Sequence, residues 1–443
     1  MGNYFSSDGL PPKLNGVKED TFVHFTLSQR WPKTIGTTVD HFHNKHGALG
    51  ADLDVKAVIS ELSEISYHIV TDAPLKDIDD TSYSHEMWNK LLSQMREKDG
   101  HDAVTWFKAD WLFTECYMYR RIVGATAKTK YLKNYDFFRD QKIKGFNDQC
   151  ASLFPAFKVI HQSKINDFRD QVRDGIRYML SVADNFTVEE KRETVEVLLK
   201  MCLWGNRCDL SLSCGGSTQL AQAPIEAARS LDEFILCNDL GVAIDNYFMK
   251  MQKRRGKREF HIVLDNAGPE LMGDLIFSEY LLHSKLVDRE YPYFVSDVTG
   301  GDFEWTLTEL KKLGDVFRTM YEKLTVRVKK VKTPHKLFSV RGQLLFRDHR
   351  FWTYPQPYCE MYLVAPELYY ELSAASLIMF KGDLNYRKLT ALCGFLPAPV
   401  LALRTLKSET VAGLPKDVAE RMMHEPDQKW MTTGEYGIAE LAF

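Results

Sequence analysis

The 443-residue sequence has no CxxC pair, no apolar run of membrane-spanning length and almost no net charge. Each absence removes a class of function. The eight cysteines, Cys116, Cys150, Cys202, Cys208, Cys214, Cys237, Cys359 and Cys393, are scattered. That excludes structural zinc and a disulfide framework, and fits a reduced cytoplasmic setting, with a nuclear share equally compatible. A formal charge of −3 removes the case for bulk attraction to nucleic acid or anionic lipid. P-loop, HExxH and GxSxG patterns are all missing, as are internal repeats and low-complexity tracts. The start, "MGNYFS", places Gly2 and Ser6 at the spacing used for N-myristoylation. A Gly2 acyl anchor and a plain polar terminus both stay open, and one acyl chain gives only marginal, reversible membrane binding.

What is present divides into two textures. With 44% hydrophobic residues the chain can bury one large or two ordinary cores. Residues 1–24 read as a flexible N-terminus and 25–240 as a helical domain. Within it, "DVKAVISELSEISYHIV" places Val55, Val58, Ile59, Leu62 and Ile65 on one helical face, and "RETVEVLLKMCLW" repeats the habit. From 241 to 443 the pattern becomes short apolar runs that end in polar residues and lead into amphipathic stretches: "HIVLDN", "YFVSD", "LIMFKGD" and "VLALRTLK". That rhythm predicts an α/β/α sandwich, a Rossmann-like sheet with helices on both faces.

The strand ends carry the chemistry. "IVLD" is short enough for a buried strand, whereas "PELMGDLIFSEYLLHSK" spaces Leu271, Leu275, Ser278 and Leu282 as a helix packed on a sheet would. Pro269 suits the first helical position, where its missing N–H has no partner to lose. Asp265, Asn266 and Gly268 therefore fall at a strand's carboxyl end beside a helix start, the edge where open α/β sheets bind ligands. A bare carboxylate would repel an anionic ligand, so a hard divalent cation between them is the economical explanation. "YFVSD" delivers Asp297 in the equivalent place. The other two ends supply Lys381 with Asp383 and Asn385, then Arg404 and Lys407. Carboxylates for a metal and cations for phosphoryl oxygens make a phosphoryl-transfer site. Against this stands the plainer reading that an Asp ending a strand is a helix cap.

Longer motifs go further. "LWGNRCDLSLS", "VLDNAGPEL", "FVSDVTGGDF", "LIMFKGDLNYRKLT" and "RTLK", with "WLFTECYMYRRI" and the tail "WMTTGEYG", resemble the metal-dependent damage-control phosphatases of the acidic-residue-methyltransferase-like subfamily, subfamily III with its RTxK motif. The resemblance runs from about Trp106 to Gly437. It implies hydrolysis of sugar phosphates such as fructose 1-phosphate and fructose 6-phosphate, in metabolite damage control, with Mn2+ or alternatively Ni2+, Co2+ or Mg2+. It also implies that Asp265, Asn266 and Asp297 hold the metal, with Asp265 and Asp297 catalytic. Glu270, the stretch Asp383, Leu384, Asn385, Tyr386 and Arg387, and Lys407 would line the substrate site. Asn206 and Asp209 would close it from the helical half. Lys381, Arg404 and Lys407 would meet charge on the transferring group, and either a metal-bound water or Asp265 itself would attack phosphorus.

Two departures from the family pattern set up further expectations. Relatives usually carry an extra strand where this chain has only "LVDREYP", and a longer insert where it has "ALCGFLPAP". A lost central strand would leave neighbours with unpaired backbone groups, so a rearranged sheet or a weakened enzyme is one expectation. A protein-glutamate carboxyl methyltransferase using S-adenosylmethionine is the other alternative. It is disfavoured because "LDNAGPEL" lacks the glycine-rich turn of a nucleotide site. The remaining constellations read as bland: "HFHNKHG" as a solvated helix end, "KRRGKRE" and "RVKKVKTPHK" as charged loops.

Overall fold

A computed structural model describes residues 13–49, 52–80, 84–133, 135–153, 187–205, 231–250, 258–294, 302, 304–306, 308, 338–340, 343–390, 395–425 and 429–443. The chain divides into two compact units, the second beginning at Gln141. That boundary precedes the change of sequence texture near residue 240.

The first unit is helical. Thr21 caps its entry by accepting a hydrogen bond from the His24 amide, and a wider π turn at Thr26–Arg30 leads into α1 (Trp31–Leu49). In α2 (Asp52–Val70), Val55, Val58, Leu62, Ile65 and Ile69 are buried while Ile59 is only partly so. Asp52 and Asp54 sit in its first turn, where the helix dipole favours negative charge. Next come α3 (His85–Asp99) and α4 (Trp111–Ala127), the latter capped by Asp110. The stretch from His41 falls toward the end of α1 with His43 and Asn44 exposed, as a solvated helix end would be, while His41 itself turns inward with Nε2 2.6 Å from the Tyr135 hydroxyl.

The second unit holds the sheet. Helix α5 (Arg139–Leu153) crosses the boundary, and α6 (Val188–Gly205) follows with Leu198 to Trp204 all buried. Eight strands follow among the described residues: β1 (Ile235–Asn238), β2 (Glu259–Val263), β3 (Arg289–Phe294), β4 (Phe338–Val340), β5 (Leu344–Asp348), β6 (Leu377–Lys381), β7 (Val400–Thr405) and β8 (Gly437–Ala442). Their order is β1-β8-β7-β6-β2-β3-β5-β4. The four strands anticipated from sequence are β2, β3, β6 and β7; they are consecutive neighbours and all parallel. Among the described strands of this sheet, only β7–β8 and β4–β5 pair antiparallel. Every residue of β6 and β7 is buried, as expected of parallel strands covered on both faces.

One face packs Phe260, Ile262, Met379 and Leu401 against α6 and α7 (Pro269–His283). The other packs Val263, Ile378 and Phe380 against Trp352, Tyr358 and α8 (Pro366–Leu372). Helix α7 is buried almost all round, not along one stripe, because α6 covers the side turned from the sheet. That packing places α6 in the sheet unit, although its amphipathic pattern reads like the helices before it. Two further short helices are α9 (Asp383–Leu389) and α10 (Lys416–Met423).

The cysteines among the described residues form no disulfide framework, although one of them is not free. Cys359 is disulfide-bonded, with its partner outside the described residues, while Cys116, Cys202 and Cys237 are free and buried. No helix among the described residues is long and apolar enough to cross a membrane, and Gly2 lies outside them.

Candidate functional site

From β2 the chain moves to β3 on one side and later returns to β6 on the other, so the strand order reverses between β2 and β6. In open α/β sheets ligands bind at such a switch point, outside the carboxyl ends of the strands. Asp265 and Asn266 follow β2 here, and Gly382 and Asp383 follow β6.

The two ends are in close contact. Gly382 has φ 83° and ψ 178°, a conformation open essentially to glycine. A Cβ built on it would stand 2.5 Å from Asp265 Oδ1 and closer still to Oδ2 and Cγ. The carboxylate of Asp265 thus occupies the space of the missing side chain. Asn385 fastens the same seam, its Nδ2 donating to the carbonyls of Leu264 (3.0 Å) and Lys381 (2.8 Å) while its Oδ1 accepts from the Tyr358 hydroxyl.

A chain of polar contacts runs inward from Asp265. Asn266 Nδ2 donates to Asp265 Oδ2 at 2.8 Å and to Glu270 Oε2 at 3.0 Å. The other Glu270 oxygen accepts from Lys381 Nζ at 2.7 Å, and Lys381 also reaches both oxygens of Asp274 at 3.0 and 3.3 Å. Lys381 has no exposed surface. Burial alone would discourage its charge, but Asp274 and Glu270 reverse that and hold the ammonium protonated. Burial pushes Asp274 above the usual carboxylate range, with Lys381 opposing and Glu270 adding to the rise. The Cys202 thiol, on α6, is pushed well up by burial and by the nearby Asp274, so it stays protonated and is no nucleophile.

A second cluster surrounds Asp383. Its Oδ1 accepts from Arg404 Nε (2.9 Å) and from Ser408 Oγ (2.8 Å), and its Oδ2 from Arg387 Nε (2.7 Å). Burial would raise the carboxyl, yet Arg404 and Arg387 outweigh it and hold Asp383 well below the usual range. Arg404 is wholly buried, bonding Ser408 and the Thr410 carbonyl as well and lying 4.6 Å from the Tyr386 ring. Lys407 follows, buried, its stem 3.5 Å from where a Cβ on Gly434 would stand. The tail is laced to the same turn, Gly434 N donating to Leu406 O and Leu406 N to Tyr436 O, each at 2.8 Å. Tyr386 points away to Glu440 Oε2 (2.9 Å) and the Ala412 carbonyl (3.1 Å), and Leu384 is half-buried on α9.

The structure therefore brings Asp265, Asn266, Glu270 and Lys381 together, and Asp383, Arg387 and Arg404 beside them. It turns Asn385 and Tyr386 to scaffold contacts. Asp297, Asn206 and Asp209 lie outside the described residues, although α6 ends at Gly205, where a Cβ would stand 3.5 Å from Glu270 Cα. Gly382, Asp274, Ser408 and Glu440 are additions. Asp274 had a signal, one helical turn beyond Glu270; Ser408 had one in its place after "RTLK"; Glu440 had none.

Among the described residues no group of three or more His, Cys, Asp or Glu side chains gathers as a metal cage. The donor set nonetheless fits a hard cation, because Asp265 offers carboxylate oxygen and an Asn266 amide whose nitrogen is committed to two carboxylates has only oxygen to offer.

Comparison with known proteins agrees with this architecture. The damage-control phosphatase ARMT1-like domain matches residues 26–422. The chain is 33% identical over 464 residues to "Damage-control phosphatase ARMT1" of Mus musculus, covering 97% of this chain and 98% of that one. It is 32% identical over 465 residues to the protein of the same name from Danio rerio, with 98% and 97% covered. Against the Homo sapiens protein of that name it is 32% identical over 461 residues, with 97% and 98% covered.

Proposed function

We infer that this chain, which belongs to the damage-control phosphatase ARMT1-like domain family, is a phosphatase, and we propose that it hydrolyses small sugar phosphates such as fructose 1-phosphate and fructose 6-phosphate. The observation that carries the site assignment is the contact across the switch point, where the Asp265 carboxylate fills the space left by Gly382. A carboxylate fixed so closely is preorganised for one task, and the neighbouring Asn266 amide is hydrogen-bonded to it.

In this reading Asp265 and Asn266 hold a divalent cation, Mn2+ or one of Ni2+, Co2+ and Mg2+, with Asp297 completing the set. Such a cation polarises a phosphoryl oxygen and acidifies water. The chain's own side chains do the rest. Lys407 and Arg387 meet the phosphoryl group, Arg387 being held by Asp383, whose low pKa keeps it a permanent anion under the guanidinium. Arg404 and Lys381, wholly buried and bonded to carboxylates, shape the site from beneath. Asn206 and Asp209 close it from the end of α6.

A phosphate-release screen across sugar phosphates, with each of the four cations and with chelator, tests the reading. Release that needs a cation and disappears in Asp265→Ala is expected. Release that survives both chelator and that substitution refutes the metal assignment.

A further inference from the structure

The contact that reaches farthest from the site edge ends on Asp274, in the second turn of α7. From it the links are Asp274 to Lys381, Lys381 to Glu270, Glu270 to Asn266, and Asn266 to Asp265, each between 2.7 and 3.3 Å. Each link removes a freedom. Asn266 can turn its amide over, but its Nδ2 is held between two carboxylates. Glu270 can rotate, but one oxygen is held by Lys381. Lys381 has a long stem with several rotatable bonds, but Asp274 and Glu270 grip the ammonium from two sides.

We propose that Asp274 and Lys381 are a positioning pair, which fixes Glu270 so that the Asn266 amide presents oxygen, not nitrogen, to a divalent cation shared with Asp265. The proposal rests on the metal reading above. Stability alone does not account for the pair. Removing charged groups from water is costly, and a buried ion pair replaced by apolar residues of like volume is often neutral or stabilising. Lys381 and Asp274 have no more than 1% exposure. The network also has a direction: it starts inside the α6–α7 core, where Asp274 approaches Cys202, and it ends at the sheet edge. Groups that orient metal ligands from behind commonly govern metal affinity about 10–100-fold.

Calorimetric titration of the full chain with Mn2+ alone separates the possibilities. Four proteins are compared: the parent, Asp265→Ala, Lys381→Met, and the double variant Asp274→Leu with Lys381→Met. The double variant removes one charge of each sign, so the local net charge is unchanged and a change in affinity cannot be long-range attraction. It is expected to melt near the parent temperature and to bind Mn2+ about 10–100-fold more weakly. Lys381→Met alone is the sharper arm, because loss of a nearby cation would by charge alone tighten Mn2+ binding, whereas loss of positioning weakens it. Parental affinity in the double variant, or tighter binding in Lys381→Met, overturns the proposal, as does a double variant that fails to fold, since the pair would then serve stability. A parent that binds no Mn2+ takes down the metal reading and this proposal together. A double variant like the parent, beside a deficient Asp265→Ala, takes down this proposal alone.

Discussion

Gly382→Ala adds a single methyl group, and the structure says where it lands. The backbone at 382 has φ 83° and ψ 178°, so any L side chain there is strained by about 1–3 kcal/mol. The methyl would also lie 2.5 Å from Asp265 Oδ1, with Oδ2 and Cγ nearer. Unbonded atoms settle at about 3.5–4.0 Å, so the carboxylate must retreat by roughly 1 Å or more. Asp265 is only 5% exposed, which leaves it little room. A misplacement of about 1 Å at a reacting centre costs on the order of a hundredfold in rate, so kcat/KM for fructose 1-phosphate with Mn2+ should fall by about that factor. The melting temperature should fall by several degrees, at about 2–4 °C per kcal/mol for a large domain. Combining Gly382→Ala with Asp265→Ala separates the two causes. The steric part disappears when the carboxylate is gone, so the double variant should be more stable than the two single effects predict by addition. Parental turnover in Gly382→Ala, or strictly additive stabilities, would refute the claim that this contact positions the site.

Lys407→Ala should reduce phosphate-ester kcat/KM about a hundredfold with little change in melting temperature; a large loss of stability with normal kinetics would assign Lys407 to the scaffold. Ser408→Ala removes a buried hydroxyl that donates to the partly buried Asp383 and accepts from the buried Arg404, and should cost about 1–3 kcal/mol in denaturant unfolding. An unchanged midpoint would show that the turn after β7 does not depend on it. Glu440 is pushed up to about 7 by burial, against the pull of its Tyr386 hydrogen bond and of Arg404. The folded state then binds a proton that the unfolded chain releases nearer pH 4.5, so stability falls as pH rises from about 4.5 through 7. Thermal melts should show this slope in the parent and a flatter one in Glu440→Gln; parallel curves would discard the assignment.

The sequence displayed the parallel centre of the sheet because β2, β6 and β7 are covered on both faces, and such strands must be apolar along their length. Their neighbourhood could not be read, since order and register depend on pairing between segments far apart in the chain. The same limit explains the domain boundary. An amphipathic helix shows that one face is buried but not against what, so α6, which packs on α7, looked like the helices of the first unit. At the site, residue types were legible and directions were not. Lys381 and Arg404 follow apolar runs just as a phosphate-binding cation would, yet both turn inward to carboxylates. Gly382 was visible as a letter, but its significance is a distance to a residue on another strand.

The connection before β3 is short where the sequence alone predicts a missing strand. A missing central strand would leave two rows of backbone groups facing each other without partners, a heavy cost in a buried sheet. The structure avoids this by pairing β2 directly with β3, in parallel register from Glu259↔Arg289 to Val263↔Tyr293, while β3 pairs with β5 on its other side. The register is pinned where the two strands begin. Arg258 Nε donates to Asp288 Oδ2 at 3.0 Å, Asp288 N donates to the Arg258 carbonyl at 2.9 Å, and Arg258 Nη1 reaches the Lys285 carbonyl at 2.7 Å. Lys285 takes a positive φ of 56° to turn the chain there, a conformation rare outside glycine, and the clamp holds it. Two parallel strands started level also end level, so the carboxyl end of β2, from which Asp265 and Asn266 follow, stands beside that of β3. The short connection therefore leaves β2 and β3 paired along their length, with no gap between them, while the other shortened segment, at 391–394, lies outside the described residues.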